Sequence, residues 1–459
     1  MKTRDVFDSL SPVDYRYWDE DVAKYLSENG FTRYKLRAEL ALVKALHRLQ
    51  GCPLDVVREV ETACEQVTTE EVYAEEKRIG HDIRALVNCI RAKVSDRAKS
   101  WVHMTATSCD IVDSANAARY KEVVEEVLIP SLVKLEEALI EITLRETGTV
   151  QVGRTHGQHA VPITFGFAMA GYVSRLGGSI VTLDELASAL TGKFSGAVGA
   201  YNASSLFFND PESFEGSLLA ELKIEAAEHS TQIVPPEALT RLLCEVTITA
   251  GILANLSDDM RHLQRTEIGE VGEEFGADQV GSSTMPQKRN PINFENAKSL
   301  WKIVMPRIIT VFLDQISEHQ RDLTNSASAR TYGEVIAYVV STAKRLTRTM
   351  KKLSVDHASL ARNLAMQKDL VLAEPLYILL AALGHSEAHE KVRTLTLQAQ
   401  REKRSLGEIA LADTEIMPYI EKMTPHQRQI LSDPSLYTGI AAQKARVIAH
   451  VWKERLRQF

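Results

Sequence analysis

Leu242, Val246, Thr249, Leu253, Leu256, Met260 and Leu263 step by four and three residues, a strict seven-residue repeat. Ile336, Val339, Ala343, Leu346, Met350 and Leu353 repeat in the same way. Two seams of this kind in one region require long helices packed at small crossing angles, as in a bundle or coiled coil. A third segment carries apolar residues at Val124, Val127, Leu128, Leu132, Leu135, Leu139 and Ile142, with Pro130 inside it. That proline is expected to kink the helix, because it lacks the N–H that the ladder needs. Alternating patterns are scarce, and "GTVQVG" and "GAVGAYN" are the best short strand candidates. The expected class is all-α, with a central bundle of long helices.

A chain of 459 residues is too long for one hydrophobic core. We expect three parts. Residues 1–112 form shorter helices broken at "ENG", "QGCP" and "RIGHD". Residues 113–352 carry the long helices, and residues 353–459 return to shorter ones broken at "LGHSE" and "LSDPSLYTG". The balance of 54 basic against 61 acidic residues offers no footprint for nucleic acid. Five cysteines without a C-x-x-C pair fit a reduced, cytoplasmic protein. The start "MKTRDVFDSL" has no apolar signal core, and no charge-free apolar run approaches a membrane span of about 18 residues, so no membrane partner is expected.

Polar clusters interrupt the helical patterns. "RIGHD" holds His81 and Asp82, and "VHMTATSCD" holds His103, Thr107 and Ser108. "GRTHGQHAVP" holds Arg154, Thr155, His156 and His159, and "HQRDLTNSASAR" holds Arg321, Ser326 and Arg330. The loop "GSSTMPQKRNP", residues 281–291, gathers hydroxyls, amides and cations between two prolines and a glycine, which exclude regular structure. Each cluster also has a plain explanation. A single loop histidine is more often structural than catalytic, Thr107 and Ser108 stand where a helix N-cap belongs, and Arg321 and Arg330 suit solvated helix faces. Cys109 reads as a small residue near a helix start. His156/His159 and His385/His389 lack the H-E-x-x-H arrangement and a third ligand, so neither a metal nor any other cofactor is expected.

Taken together, the clusters resemble the fumarase/aspartase superfamily. "GSSTMPQKRNP" is similar to its signature loop G-S-S-x-M-P-x-K-x-N-P at every fixed position, and "GRTHGQHA", "TSCDIVDSANA" and "DPSLYTG" extend the likeness over essentially the whole chain. The resemblance implies a nearly all-α homotetramer with active sites shared between subunits. Such an assembly would supply the partners that the two seven-residue seams need. "GRTHGQHAVPITFG", "RIGHD" and Arg16-Tyr17 in "DYRYWDE" point to the members that act on succinylated purine nucleotides. The implied reaction is β-elimination across a C–N bond, releasing fumarate from the succinylated precursor of AMP and from the succinylated aminoimidazole carboxamide ribotide of purine synthesis.

That reaction needs a base at the carbon beside a carboxylate, donors for the doubly charged aci form, and an acid for the departing nitrogen. Residue types alone leave Ser282 and Ser283 equivalent. The resemblance makes Ser282 the base and Ser283 a substrate contact, with Lys288 and Asn290 as donors to the developing charge. It makes His156 the general acid and Glu295 the carboxylate that pairs with it. It assigns Thr107 and Ser108 to a succinyl carboxylate, and His81, Asp82, Gln232, Arg16 and Tyr17 to other parts of the substrate. His103 would sit near the phosphate, and Arg321, Ser326 and Arg330 would grip the nucleotide, where the planar guanidinium fork suits phosphate oxygens.

One stretch departs from the pattern. After "STQ" a run such as Q-R-D-R is expected, but the chain reads Pro235-Pro236-Glu237-Ala238, and Ala200 replaces a common threonine. The departure leaves open a lyase acting on a related succinylated nucleotide. The shared signature loop allows another lyase of the superfamily or a carboxymuconate-type cycloisomerase, and a non-catalytic helical scaffold that kept the fold is the remaining reading. Against the scaffold, Ser282, His156, Lys288 and Glu295 are all intact.

Overall fold

The computed structural model describes residues 6–275, 283–366 and 370–459. Ser282 and Gly281, at the start of the signature loop, lie outside the described residues. The chain is mainly helical. The helices that bear on the site are, in chain order, α1 (Glu28–Gln50), α2 (Asp82–Arg91), α3 (Ser108–Val123), α4 (Ile129–Arg145), α5 (Phe165–Ser188), α6 (Glu237–Leu263), α7 (Ile292–Leu313), α8 (Tyr332–Lys351) and α9 (His357–Met366). Strands among the described residues pair only two at a time.

The seven-residue seams fall on α6 and α8. Leu242, Val246, Leu253, Leu256 and Met260 are buried, as are Ile336, Val339, Ala343, Leu346 and Met350. The seams are therefore covered within one chain and do not need a second copy to bury them. Exposed apolar side chains lie elsewhere on the long helices, at Ile248 on α6 and at Met305, Ile309, Phe312 and Leu313 on α7. By length and composition alone α6 is apolar enough to cross a membrane, but most of that window is buried.

Local signals set the helix ends. Ser27 caps α1 by accepting from the Gly30 N–H at 3.1 Å. "ENG" is thus the first turn of α1 and not a break. Gly30 is required there, since a Cβ would stand 2.7 Å from the Tyr25 carbonyl oxygen. Gly51 and Gly80 end their helices in the left-handed conformation, as "QGCP" and "RIGHD" suggest. Before Pro130 the segment Val124–Leu128 adopts a π turn, the local form that the missing proline donor takes here.

The chain divides into two compact units, each assembled from three separate stretches. The first comprises residues 6–133, 178–253 and 299–344, and the second residues 134–177, 254–275 with 283–298, and 345–459 apart from 367–369. The first unit holds α1, α2 and α3 together with a parallel pairing of Thr191–Gly192 and Glu225–Ala226. "GAVGAYN" is a turn and not a strand, because Gly196, Gly199 and Tyr201 all have positive φ. The second unit holds a hairpin of β1 (Val150–Thr155) and β2 (Gln158–Thr164), the strand that "GTVQVG" predicts. It also contains an apolar cluster around Leu376, Leu380, Val392, Leu395, Leu406 and Ile409.

Candidate active site

In the first unit the polar residues converge on the start of α3. Thr107 is its N-cap, and the Thr107 N–H donates to Asp110 at 2.8 Å. Capping is therefore a real role of this residue. The same Asp110 is fully buried and carries an ion pair with Lys193, which is also fully buried. Lys193 donates further to the Gly196 carbonyl at 3.0 Å, and the Gly196 N–H donates back to Asp110 at 3.2 Å. The N-terminal turn of α3 is thus locked to the 193–196 segment from below. Above it, the half-buried Thr107 and Ser108 present hydroxyls at a helix N-terminus, where backbone N–H groups and the helix dipole favour an anion.

A cation stands beside this turn. The Arg321 guanidinium reaches the Cys109 sulfur and donates to the Gln232 side-chain oxygen at 3.3 Å. Burial pushes the Cys109 thiol up to about 12, so it is a neutral neighbour and no nucleophile. The segment that departs from the expected pattern is held to the same place. The Val234 N–H donates to Asp113 at 2.9 Å, and α6 begins directly after Pro236. Gln232 therefore keeps its place beside Arg321 despite the two prolines. Burial raises the Asp113 carboxyl to about 6, with the Val234 N–H and the charges of Lys193 and Arg321 opposing the shift.

His103 has a left-handed backbone, with φ 63°, and its Nδ1 lies 2.7 Å from Oε1 of the fully buried Glu39 on α1. Burial favours the neutral ring, but the Glu39 charge and hydrogen bond outweigh it and hold the His103 pKa above the ordinary histidine value. His81 is the N-cap of α2 and accepts from the Arg84 N–H at 3.3 Å, with Asp82 next to it, and both side chains are exposed enough to meet a ligand. Tyr17 sets its ring edge on Tyr338 at 5.7 Å, while Arg16 is exposed. Ser326 is exposed, and Arg330 lies 3.9 Å from Glu28 rather than beside Arg321. The first unit therefore brings together Thr107, Ser108, Gln232 and Arg321, and leaves Arg16, Ser326 and Arg330 outside that cluster.

In the second unit His156 and Gly157 are the two residues between the paired Thr155 and Gln158. Both have positive φ, 53° and 73°, which a two-residue hairpin turn of the I′ kind requires. Glycine accepts this freely; histidine does so at a cost, and such strain in a non-glycine residue is typical of functional positions. The turn leaves the His156 ring exposed. His159 differs. Its Nδ1 is buried without a hydrogen-bond partner among the described residues, and burial with Arg154 nearby lowers its pKa. Below the turn Arg154 makes a two-pronged contact with the fully buried Glu270, at 2.6 and 3.0 Å. Gln151 and Asn363 of α9 donate to the same carboxylate at 2.7 and 2.8 Å.

Ser283 and Lys288 of the signature loop are exposed, and Asn290 is partly buried. The loop's far end is fixed by Glu273, which accepts from the Asn293 and Phe294 N–H groups at 2.9 and 3.0 Å and so caps α7. Glu295 follows in the first turn of α7 and is exposed. Among the described residues His156 and Glu295 are not hydrogen-bonded to each other within one chain. No group of three or more His, Cys, Asp or Glu among the described residues is placed to hold a metal.

Sequence reasoning missed Glu39, Lys193 and Glu270. Glu39 carried a usable signal, for it stands in the Leu36–Val43–Leu46 stripe of α1 where an apolar residue belongs. Lys193 and Glu270 carried none, since their partners are far away in sequence.

Comparison with known proteins bears on the whole chain. The lyase family matches residues 3–305, and the adenylosuccinate lyase C-terminal family matches residues 317–429. The adenylosuccinate lyase of Pyrococcus horikoshii is 34% identical over 456 residues, covering 98% of this chain and 99% of the relative. That of Archaeoglobus fulgidus is 32% identical over 452 residues, covering 98% and 100%. Among solved structures, the 3-carboxy-cis,cis-muconate lactonizing enzyme from Pseudomonas putida superposes with a TM-score of 0.85 at 25% identity, over 97% of this chain and 100% of that one.

Proposed function

From the membership of this chain in the lyase family, and within it in the adenylosuccinate lyases of the fumarase/aspartase superfamily, we propose a carbon–nitrogen lyase that releases fumarate from succinylated purine nucleotides. Its substrates are adenylosuccinate, which gives AMP, and the succinylated aminoimidazole carboxamide ribotide. The observation that carries this reading is the anion cradle of the first unit. It combines the N-terminal turn of α3, with Thr107 and Ser108, and the Arg321 guanidinium steadied by Gln232. A doubly carboxylated, phosphorylated substrate calls for such donors, and they lose little entropy on binding because they are already braced.

The roles follow from the chemistry. Thr107 and Ser108 hold a succinyl carboxylate. Ser282 removes the proton next to it, and its alkoxide needs the cationic surroundings that Lys288 supplies. Lys288, Asn290 and loop N–H groups donate to the aci carboxylate as charge builds. Exposed His156 protonates the departing nitrogen, and Glu295 favours the charged ring. Arg321, Ser326 and Arg330 grip the nucleotide, His103 meets its phosphate, and His81, Asp82, Ser283, Arg16 and Tyr17 complete the substrate contacts. We place the enzyme in the cytoplasm as a homotetramer with active sites shared among its chains, and the exposed apolar residues of α7 suit such packing.

Fumarate release from adenylosuccinate tests the activity directly. Ser282→Ala should lower kcat about 10²- to 10⁴-fold, the usual range for loss of a general base, with KM little changed. Normal turnover by that variant would remove Ser282 from the role.

A further inference from the structure

Glu39 is the one fully buried acid of α1, set among Leu36, Leu42, Val43 and Leu46. A carboxylate there is costly unless a cation answers it. Its Oε1 is bonded to His103 Nδ1 at 2.7 Å, and its Oε2 is buried without a hydrogen-bond partner. The imidazole is thus the group that answers the charge. We propose that Glu39 is a positioning residue: its carboxylate fixes the His103 ring and keeps it a cation, so that the opposite nitrogen, Nε2, donates to an anionic oxygen of the substrate nucleotide.

Three observations support this. The His103 side chain keeps 19% of its surface exposed while Glu39 keeps none, so the pair has a buried end and an open end. Nδ1 is occupied by the carboxylate, which leaves Nε2 outside that bond. His103 holds a left-handed backbone, with φ 63°, which fixes the direction in which its side chain leaves the loop toward Glu39. The charged groups facing the ring come from each helix packed against it. They are Glu39 from α1, Asp110 from α3 and Arg84 from α2, the last opposing protonation. Asp110 is already neutralised by Lys193, and Cys64, near Glu39, is kept a neutral thiol by burial. Glu39 is therefore the carboxylate available to His103.

The inference rests on the nucleotide reading, and its test separates the two. Histidine NMR of the unliganded parent should show His103 titrating above 6.5, and in Glu39→Gln the same ring should titrate below it. For adenylosuccinate, KM should rise on the order of tenfold as the ring loses its proton, and that rise should come at lower pH in Glu39→Gln than in the parent. The change should fall on KM rather than kcat, and an acid pH should rescue the variant. His103→Gln should show the raised KM at every pH, and it serves should Glu39→Gln fail to fold. A His103 that is neutral in the parent overturns the inference, as does a variant ring that has lost its proton while KM keeps the parent profile. Absence of any turnover by the parent would defeat the nucleotide reading, and NMR alone would then decide the Glu39–His103 pairing.

Discussion

Two polar tips in this protein are held by the same device and differ in what they present. Beneath the start of α3, Asp110 takes one cation, Lys193, and two backbone N–H groups. Beneath the β1–β2 turn, Glu270 takes one cation, Arg154, and two side-chain amides. Both carboxylates are fully buried. Above the first lies a half-buried cradle of two hydroxyls beside a guanidinium that is bonded to Gln232. Above the second lies a single exposed imidazole on a strained turn. On the proposed roles, the contrast separates binding from proton transfer. Groups that hold charge on the substrate are best rigid beforehand, whereas a group that moves a proton must come within hydrogen-bond reach of the reacting nitrogen.

The comparison breaks first at the cations. Lys193→Met leaves Asp110 buried with neutral donors only, and should cost about 3–5 kcal/mol of stability. Arg154→Met should cost less, roughly 2 kcal/mol, because the Arg154 side chain is 18% exposed and water already screens part of the pair. Urea unfolding of the two variants decides it, and equal losses would mean that burial of the cation does not govern the difference. Activity should follow the same division. Surviving Lys193→Met protein should bind substrate weakly, since the cradle tilts, while Arg154→Met should lose turnover, since the imidazole does.

The two devices also mark where the sequence stops being informative. The α6 and α8 seams were legible because a seven-residue period is local, and the first hairpin strand because "GTVQVG" alternates. The polar clusters at 103–108, 156 and 321 were legible as chemistry. Their roles came from resemblance, and they stay there. Lys193 and Asp110 are 83 residues apart, and Arg154 and Glu270 are 116 apart. No periodic pattern links such pairs, so a lysine in "GKFSG" reads as surface. The expectation that the seams lacked partners failed for a related reason. Periodicity reveals that a face is apolar and says nothing of which element covers it.

A smaller test sharpens the cradle side. Asp113 keeps its proton to about 6 in the fold, against 3.8 for an unperturbed carboxyl. The folded state therefore binds more protons between those values, and this group's contribution to stability falls as pH rises from about 4 to 6, then levels. An asparagine at this position would have nothing to lose and could still accept from Val234. Asp113→Asn should thus gain on the parent over that window by about 1 kcal/mol, after allowing for the part of the side chain that reaches water. Thermal unfolding at pH 4 and pH 6.5 measures the gain. A constant difference at both would show that Asp113 titrates as an ordinary carboxyl.

The smallest effect lies at the hairpin tip and carries the clearest trade. His156 holds φ 53° without the freedom of glycine. His156→Gly relieves that strain but adds disorder to the unfolded chain, for a net gain of about 0.5 kcal/mol. His156→Ala keeps the strain and should gain nothing. Both lose the imidazole, and with it the proposed proton for the leaving nitrogen. A higher melting temperature for the glycine variant than for the alanine variant, with both inactive, would mean that the turn stores strain to keep the ring outward. If instead the two melted alike, the left-handed backbone would be free of cost here, and the exposed ring would owe nothing to conformational strain.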